Sequence, residues 1–303
     1  MNNYVAVLSW KVPENWNEAL LRTFLRDFCH ISKRGLADIK FNGGCITLNG
    51  EEVTVRKVIE TNDLVHVYLP PEETSPSLRP EKGPFEIVYE DDHVLVINKE
   101  AGIATIPSRE HPTNTLANFV LDYYESQQIK TTFHAVNRLD KDTSGLLIIA
   151  KHRLAHDRLS KLQQAKHVQR YYRAIVSGKL HTDKGTIDAP IARDPESIIS
   201  RKVCQTGKRA ITHYIVTNEL EHSSVVDIKL ETGRTHQIRV HFSYLGHPLL
   251  GDDLYGGDQQ HIKRQALHCY KLEFQHPFKE KLICLTSNLP NDMAAIKNEG
   301  DLK

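Results

Sequence analysis

Residues 137–147, NRLDKDTSGLL, separate two β-like apolar runs at 133–136 and 146–150. The four residues 142–145, DTSG, favour a turn, because short polar side chains bond their own backbone and glycine tolerates positive φ. We therefore expect Asp140 to lie where a strand opens into a loop. A carboxylate at a rigid strand end is held in a defined position, which suits catalysis. An Asp that only closes the turn is the alternative.

The longer stretch 137–151, NRLDKDTSGLLIIAK, resembles the catalytic-loop motif HRLDxxTSGLLLxAK of the RluA-type RNA pseudouridine synthases. The resemblance implies that Asp140 is the catalytic carboxylate that initiates glycosidic cleavage, either as nucleophile or as base. It also implies that Arg138 fills the hole left by a flipped nucleotide, since a guanidinium can stack where the base was. Asn137 replaces the family's usual His, which concerns local geometry and RNA contact more than chemistry.

A second motif of the same family, TGRTHQIRVH, is matched at all ten positions of 232–241. We expect Thr235 to cap a helix that runs from His236 to about Leu245, with Arg239 on its polar side. The resemblance implies that Arg239 pairs with Asp140. A nearby guanidinium would keep a desolvated carboxylate ionised and nucleophilic. An ordinary structural ion pair is the alternative.

The same motif supplies further candidate RNA contacts at Arg234 and His236. His236 and His241 also invite a metal interpretation, but no third and fourth ligand lies at zinc-like spacing, so we expect no metal. Cofactor-binding signatures such as GxGxxG and GxxxxGK[ST] are absent from the sequence, which agrees with an isomerisation that needs no cofactor.

The strand-like run 170–178, RYYRAIVSG, is similar to the family's (K/R)xYxAxVxG stretch and selects Tyr172 rather than Tyr171 as the active-site residue. An aromatic ring can restore the stacking that a flipped uracil has lost. Tyr172 is therefore expected to lie over the base and is a candidate for proton transfer from C5. Judged on the residues alone, a Tyr in a strand is more often a core residue.

Residues 98–102, NKEAG, match the family's NKPxG motif except at Glu100, where the loop loses a stiffening proline. Lys99 is a candidate RNA contact, and a surface ion pair is the alternative reading of this residue.

The first 69 residues combine a helical period, a short basic helix beginning near Lys33 and Arg34, and a hairpin predicted from strands at 45–48 and 53–55. The pattern resembles the alpha-L RNA-binding module of small ribosomal proteins, in which a basic helix start lies against RNA phosphate. A small α/β appendage without RNA contact is the alternative, because residues 1–75 hold 8 basic and 10 acidic residues.

The proline-rich stretch 70–84, PPEETSPSLRPEKGP, is predicted to be a linker between residues 1–69 and a catalytic domain at 85–291, with a polar tail at 292–303. The fold class expected from the resemblance is α+β. It comprises a mixed, largely antiparallel central sheet with a catalytic cleft, preceded by the small RNA-binding-like α/β domain.

The net charge is only +1, but residues 134–213 carry an excess of nine positive charges, which would attract a polyanion. Within this block, residues 183–209 show little periodicity and are a candidate RNA-facing arm. No apolar run approaches the roughly 20 residues of a membrane helix, and no secretion signal is recognisable. Five scattered cysteines indicate reduced thiols. We expect a cytoplasmic monomer without a membrane partner.

The predicted reaction is the isomerisation of specific uridines to pseudouridine in ribosomal or transfer RNA. A non-catalytic RNA-binding or ribosome-assembly protein on the same scaffold is the main alternative. An Asp-dependent hydrolase is less consistent with the sequence, because the nearest second carboxylate, Asp142, lies in the same turn as Asp140.

Overall fold

The computed structural model describes residues 4–301, with side chains to residue 296. Two separate β-sheets organise the chain, one near the N-terminus and one much larger. Between them, residues 69–85 contain neither helix nor strand. In the described part of the chain, no helix is long and apolar enough to span a membrane.

The N-terminal unit is a small antiparallel sheet, in the order β1-β4-β2-β3, packed against short helices. Ser32 begins the basic helix, since its Oγ accepts a hydrogen bond from the Gly35 N–H at 3.0 Å. The predicted strand at 53–55 is wrong, because the ladder ends at Glu52. The elements are β1 Val7–Lys11, α1 Leu21–Thr23 with a wider π-turn Phe24–Phe28, α2 Lys33–Phe41, β2 Cys45–Leu48, β3 Glu51–Glu52 and β4 Leu64–Tyr68.

The larger sheet contains ten of the described strands and confirms the mixed, largely antiparallel α+β fold. Eight strands follow one another in the order β10-β13-β14-β9-β15-β8-β6-β5. In addition, β16 pairs with β15 and β7 pairs with β8. Among these pairs, only β8 and β15 run parallel. The strands are β5 Glu86–Glu90, β6 Val94–Lys99, β7 His134–Ala135, β8 Ser144–Ala150, β9 Val168–Ser177, β10 Lys184–Asp188, β13 Ile211–Glu219, β14 Ser223–Leu230, β15 Leu267–Gln275 and β16 Leu282–Thr286.

The stretch 183–209 is more regular than its sequence suggested. It forms β10 and a separate hairpin of β11 Ile191–Arg193 and β12 Arg201–Val203. Strand pairing supplies the order here, because strands of three and five residues leave too few positions for a visible alternation.

Three helices flank the large sheet, namely α3 Leu116–Ser126, α4 Arg153–Gln164 and α5 Gln237–Tyr244. The apolar sides of α3 and α4 bury residues such as Val120 and Leu159 in the main core. Thr115 starts α3 with a reciprocal capping box to Asn118.

The stretch 292–303, which was expected to be a polar tail, lies largely within the helix α6, Asn291–Asp301. Met293 is fully buried and Ile296 packs beside it, so two apolar residues three positions apart hold the helix to the sheet. Arg264 adds a two-pronged ion pair with Asp292, with N–O distances of 2.7 and 2.8 Å.

Candidate active site

A cleft of about 520 Å³ lies where the loop before β8, the strand β9 and the start of α5 meet. The side chains that the sequence selected largely converge here. The predicted residues that line the cleft are Asn137, Arg138, Asp140, Tyr172, Arg234, His236 and Arg239. The remaining three, Lys33, Arg34 and Lys99, do not line it.

The loop that carries Asp140 is fixed on both sides. The Thr143 N–H bonds the carbonyl of Asp140 at 3.1 Å, and Thr105 Oγ1 donates to the carbonyl of Leu139 at 2.7 Å. Gly145 has φ +113° as β8 begins, and a Cβ there would lie 2.5 Å from the backbone nitrogen of Cys269. Only glycine lets β8 approach β15 this closely, so the end of the loop is set by the sheet.

Lys99 supports this loop from inside the fold, so the surface ion pair that was the alternative reading is not formed. Its side chain is only 1% exposed. Its Nζ donates to the carbonyls of Glu100, Ile103 and Lys141 at 2.8, 2.7 and 2.8 Å. Burial lowers the pKa of Lys99 to about 7. The ammonium therefore ties residues 100–103 to the residue that follows Asp140.

Arg239 contacts Asp140 but binds a different carboxylate more closely. Its Nη1 lies 3.4 Å from Asp140 Oδ2, whereas its Nε and Nη2 each lie 2.7 Å from the two oxygens of Asp252. The side chains of Asp252 and Arg239 are 0% and 7% exposed. Burial alone would lower the pKa of Arg239, but the hydrogen-bonded Asp252 and the charge of Asp140 raise it above its ordinary value.

Asp252 is the principal residue that the sequence interpretation missed. It closes the stretch 246–252, GHPLLGD, from which no candidate residue was selected. The available signal was its chemistry, because a carboxylate in a buried stretch requires a cationic partner.

The start of α5 differs from the prediction. The helix begins at Gln237, and Thr235 provides no cap. Gln237 Oε1 instead accepts hydrogen bonds from the Arg234 N–H at 3.0 Å and from Thr232 Oγ1 at 2.8 Å. His236 precedes the helix with φ +56°, a left-handed conformation that is costly for a residue with a side chain.

This conformation directs the His236 ring between two groups of the cleft. Its Nδ1 lies 2.9 Å from the Tyr255 hydroxyl, and its Nε2 lies 3.8 Å from Asp140 Oδ2. Burial lowers the pKa of His236, although the charge of Asp140 opposes the shift. The Tyr255 ring also lies with its centroid 5.0 Å from the Arg239 guanidinium carbon. Tyr255 was not selected from the sequence.

Tyr172 projects from β9 into the cleft and is 4% exposed. Burial raises the pKa of its hydroxyl, so the phenol is neutral at physiological pH. Arg138 is exposed, while Arg234 donates from Nε to the carbonyl of Arg209 at 3.0 Å.

Asn137 is more structural than the sequence suggested. It is 4% exposed, and its Oδ1 accepts a hydrogen bond from the Ile148 N–H at 2.9 Å. Its Nδ2 has no partner among the described residues. The Asn therefore binds the backbone of β8 through its oxygen while its amide nitrogen is buried.

Lys33 and Arg34 are exposed at the start of α2 in the N-terminal unit. Within residues 4–296, no group of three or more His, Cys, Asp or Glu side chains is arranged to hold a metal ion.

Comparison with known proteins gives a consistent result. Residues 93–244 match the family model described as RNA pseudouridylate synthase. The chain is 50% identical over 266 residues to the uncharacterized RNA pseudouridine synthase YjbO of Bacillus subtilis (strain 168), covering 88% of this chain and 94% of that protein. It is 38% identical to the ribosomal large subunit pseudouridine synthase D of Nitrosomonas europaea, covering 83% and 76%.

A solved structure agrees with the fold. The human RNA pseudouridylate synthase domain containing 1 superposes with a TM-score of 0.56 at 26% identity, covering 72% of this chain and 86% of that one.

Proposed function

Since this chain belongs to the family of RNA pseudouridine synthases, which are isomerases, we propose that Asp140 is its catalytic carboxylate and that its target is a uridine of large-subunit ribosomal RNA. The observation that carries the first part is the convergence of Asp140, Arg239 and Tyr172 on one cleft. The second part rests on the relatives that are named ribosomal large subunit pseudouridine synthase D.

The reaction breaks the bond between the ribose carbon and N1 of uracil and forms a new bond from that carbon to C5. The hydrogen at C5 is released and N1 gains one, so there is no net oxidation, reduction or hydrolysis. Asp140 starts the cleavage, either at the sugar or at the ring. The aromatic ring of Tyr172 stacks on the uracil and replaces part of the stacking that the flipped base has lost.

The remaining residues position these groups. Arg239, fixed by Asp252, holds a positive charge beside Asp140 Oδ2. Arg138 is exposed at the cleft, which suits a guanidinium that replaces the flipped base in the RNA stack. A non-catalytic RNA-binding role is less favoured, because a binding protein has no need for a buried Arg–Asp pair beside a half-exposed carboxylate.

The decisive experiment maps pseudouridine in large-subunit ribosomal RNA from cells that lack the gene. Complementation compares the wild-type chain with Asp140→Asn and with Asp142→Asn, which makes the same charge change two residues away in the same loop. We expect one site to disappear and to be restored by the wild type and Asp142→Asn only.

Restoration by Asp140→Asn would remove Asp140 from the mechanism. A lost site in transfer RNA instead of ribosomal RNA would keep the catalytic assignment and replace the substrate.

A further inference from the structure

Arg170 on β9 carries a buried charge that the described chain leaves without a partner. It is 8% exposed, and its Nε is buried and makes no hydrogen bond. No carboxylate lies within ion-pair distance of its guanidinium among the described ion pairs of residues 4–296, and the side chain lines two cavities. Buried charges are normally paired, because an uncompensated one is costly. The missing partner is therefore expected to come from outside the chain.

Arg170 lies between two cavities. It projects from the same face of β9 as Tyr172, since alternate residues of a strand share a face. Both residues line the catalytic cleft, and Arg170 also lines a second cavity of about 650 Å³. Gly233 keeps the guanidinium accessible from its side, because a Cβ there would lie 3.0 Å from Arg170 Nη2 and 3.2 Å from Nη1.

The second cavity has the chemistry of a polyanion site. Its volume falls within the roughly 300–1,000 Å³ typical of ligand pockets. Lys229 and Arg234 contribute positive charge to its wall. The acidic Glu231 is bound by Lys166 and by His213 at 2.5 and 2.7 Å, so its charge is offset by that of Lys166. An anion entering the cavity therefore meets a positive surface.

We propose that this second cavity receives the nucleotide next to the target uridine and that Arg170 binds the phosphate between the two nucleotides. The inference rests on the proposed function, since it takes the uridine to occupy the cleft beside Tyr172. A guanidinium suits the role because its planar array of donors can grip two phosphate oxygens at once. Arg170 then sets which of the RNA's nucleotides reaches Asp140.

The test measures RNA binding rather than turnover. All variants are made in the full-length Asp140→Asn chain, so an error in the catalytic assignment leaves the readout intact. The probe is large-subunit ribosomal RNA from cells that lack the gene. The logarithm of the association constant is measured against the logarithm of salt concentration, because each phosphate contact to a single strand contributes about 0.7 to the slope.

Arg170→Met should reduce the slope by about 0.7, whereas Arg170→Lys should retain it, because the charge remains. The matched control is Arg173→Met on the same strand. Arg173 projects from the opposite face and is bound by Asp227 at 2.6 and 2.8 Å, so its loss should not change the slope. An unchanged slope in Arg170→Met, or an equal reduction in Arg173→Met, would overturn the proposal.

A second measurement needs no substitution at Arg170 and so remains decisive even where a variant folds poorly. An RNA oligonucleotide spanning the mapped uridine is prepared with one neutral methylphosphonate linkage at successive positions. A neutral linkage adjoining the target uridine should weaken binding to the chain that retains Arg170. It should also reduce the salt-dependence slope of that binding by about 0.7. Equal binding with the neutral linkage on either side of the uridine would refute the assignment of that phosphate to Arg170.

Discussion

Replacing Asp252 with Asn should impair catalysis although Asp252 does not line the cleft. The substitution preserves shape but removes the charge that fixes the Arg239 guanidinium through two contacts of 2.7 Å. Arg239 Nη1 then loses its defined position 3.4 Å from Asp140 Oδ2. The expected effect is a lower kcat with little change in KM, because no contact to RNA is removed.

The magnitudes follow from burial. Removing one partner of a buried ion pair costs about 3–5 kcal/mol. Because Asn has nearly the same shape as Asp, we expect Asp252→Asn to lower the unfolding free energy by about 3 kcal/mol, the lower end of that range. Arg239→Met should cost a similar amount, because it leaves the fully buried Asp252 carboxylate alone. The double variant buries no lone charge. Its loss of unfolding free energy should therefore be about 2 kcal/mol smaller than the sum of the losses in the two single variants.

Catalysis should respond differently from stability. A hydrogen bond to a charged group contributes about 1.5–3 kcal/mol. A loss of about 2 kcal/mol in the barrier corresponds to a roughly 30-fold lower kcat. The double variant should be no more active than Arg239→Met, although its fold is partly restored.

Turnover can be followed with RNA tritiated at C5 of uridine, since that hydrogen is released when C5 joins the ribose. Stability is best measured by urea denaturation with far-ultraviolet circular dichroism. Both tryptophans, Trp10 and Trp16, belong to the N-terminal unit, so their fluorescence reports the wrong part of the chain. A wild-type kcat in Asp252→Asn, or strictly additive losses of stability, would refute the reasoning.

Two further changes test the support of the loop and the N-terminal unit. Lys99→Met leaves the carbonyls of Glu100, Ile103 and Lys141 without their donor, so the unfolding free energy should fall by about 3 kcal/mol. Burial lowers the pKa of Lys99 to about 7, so between pH 7 and about 10 the unfolded chain binds a proton at Lys99 that the folded chain does not. The unfolding free energy of the wild type should therefore rise from pH 7 to 9 relative to that of Lys99→Met. A difference in unfolding free energy that stays constant over this range would contradict the prediction. Lys33 and Arg34 are exposed, so the double change Lys33→Glu and Arg34→Glu should leave the unfolding free energy within about 0.5 kcal/mol of the wild-type value. It should weaken RNA binding and reduce the salt dependence of that binding. Unchanged binding would mean that the start of α2 does not contact RNA.

The sequence predicted the buried strand 146–150 and the Asp140 loop well, because both are encoded locally, whereas the sheet as a whole was expected from the family resemblance. Apolar runs such as 146–150 form fully buried strands, and the turn residues before them have the backbone preferences that the loop requires. The C-terminal helix was missed for the opposite reason. Only Met293 and Ile296 anchor it among the described side chains, and two apolar positions in a polar segment give no recognisable period.

Partnerships formed by tertiary packing were beyond the sequence pattern. Lys99 has the residue type of an RNA contact, but its strand lies inside the sheet, and three carbonyls replace solvent around its ammonium. Thr235 has the residue type of a helix cap, but the cap position of α5 is occupied by His236, and no side chain caps the helix there. In both cases the residue type was suggestive, and the tertiary structure gave the position a different role.

The strained backbone of His236 can be understood from the hydrogen bonds that it enables. The Tyr255 oxygen accepts from the Arg201 N–H at 2.9 Å, so its own hydrogen is directed to His236 Nδ1. The neutral ring then carries its proton on Nε2, the nitrogen that faces Asp140. Arg239 and His236 both approach the same oxygen, Oδ2, at 3.4 and 3.8 Å. Under the proposed function, the Arg239 hydrogen bond and the nearby His236 ring orient the carboxylate through Oδ2 and leave Oδ1 for the uridine, which accounts for a left-handed residue at the start of α5.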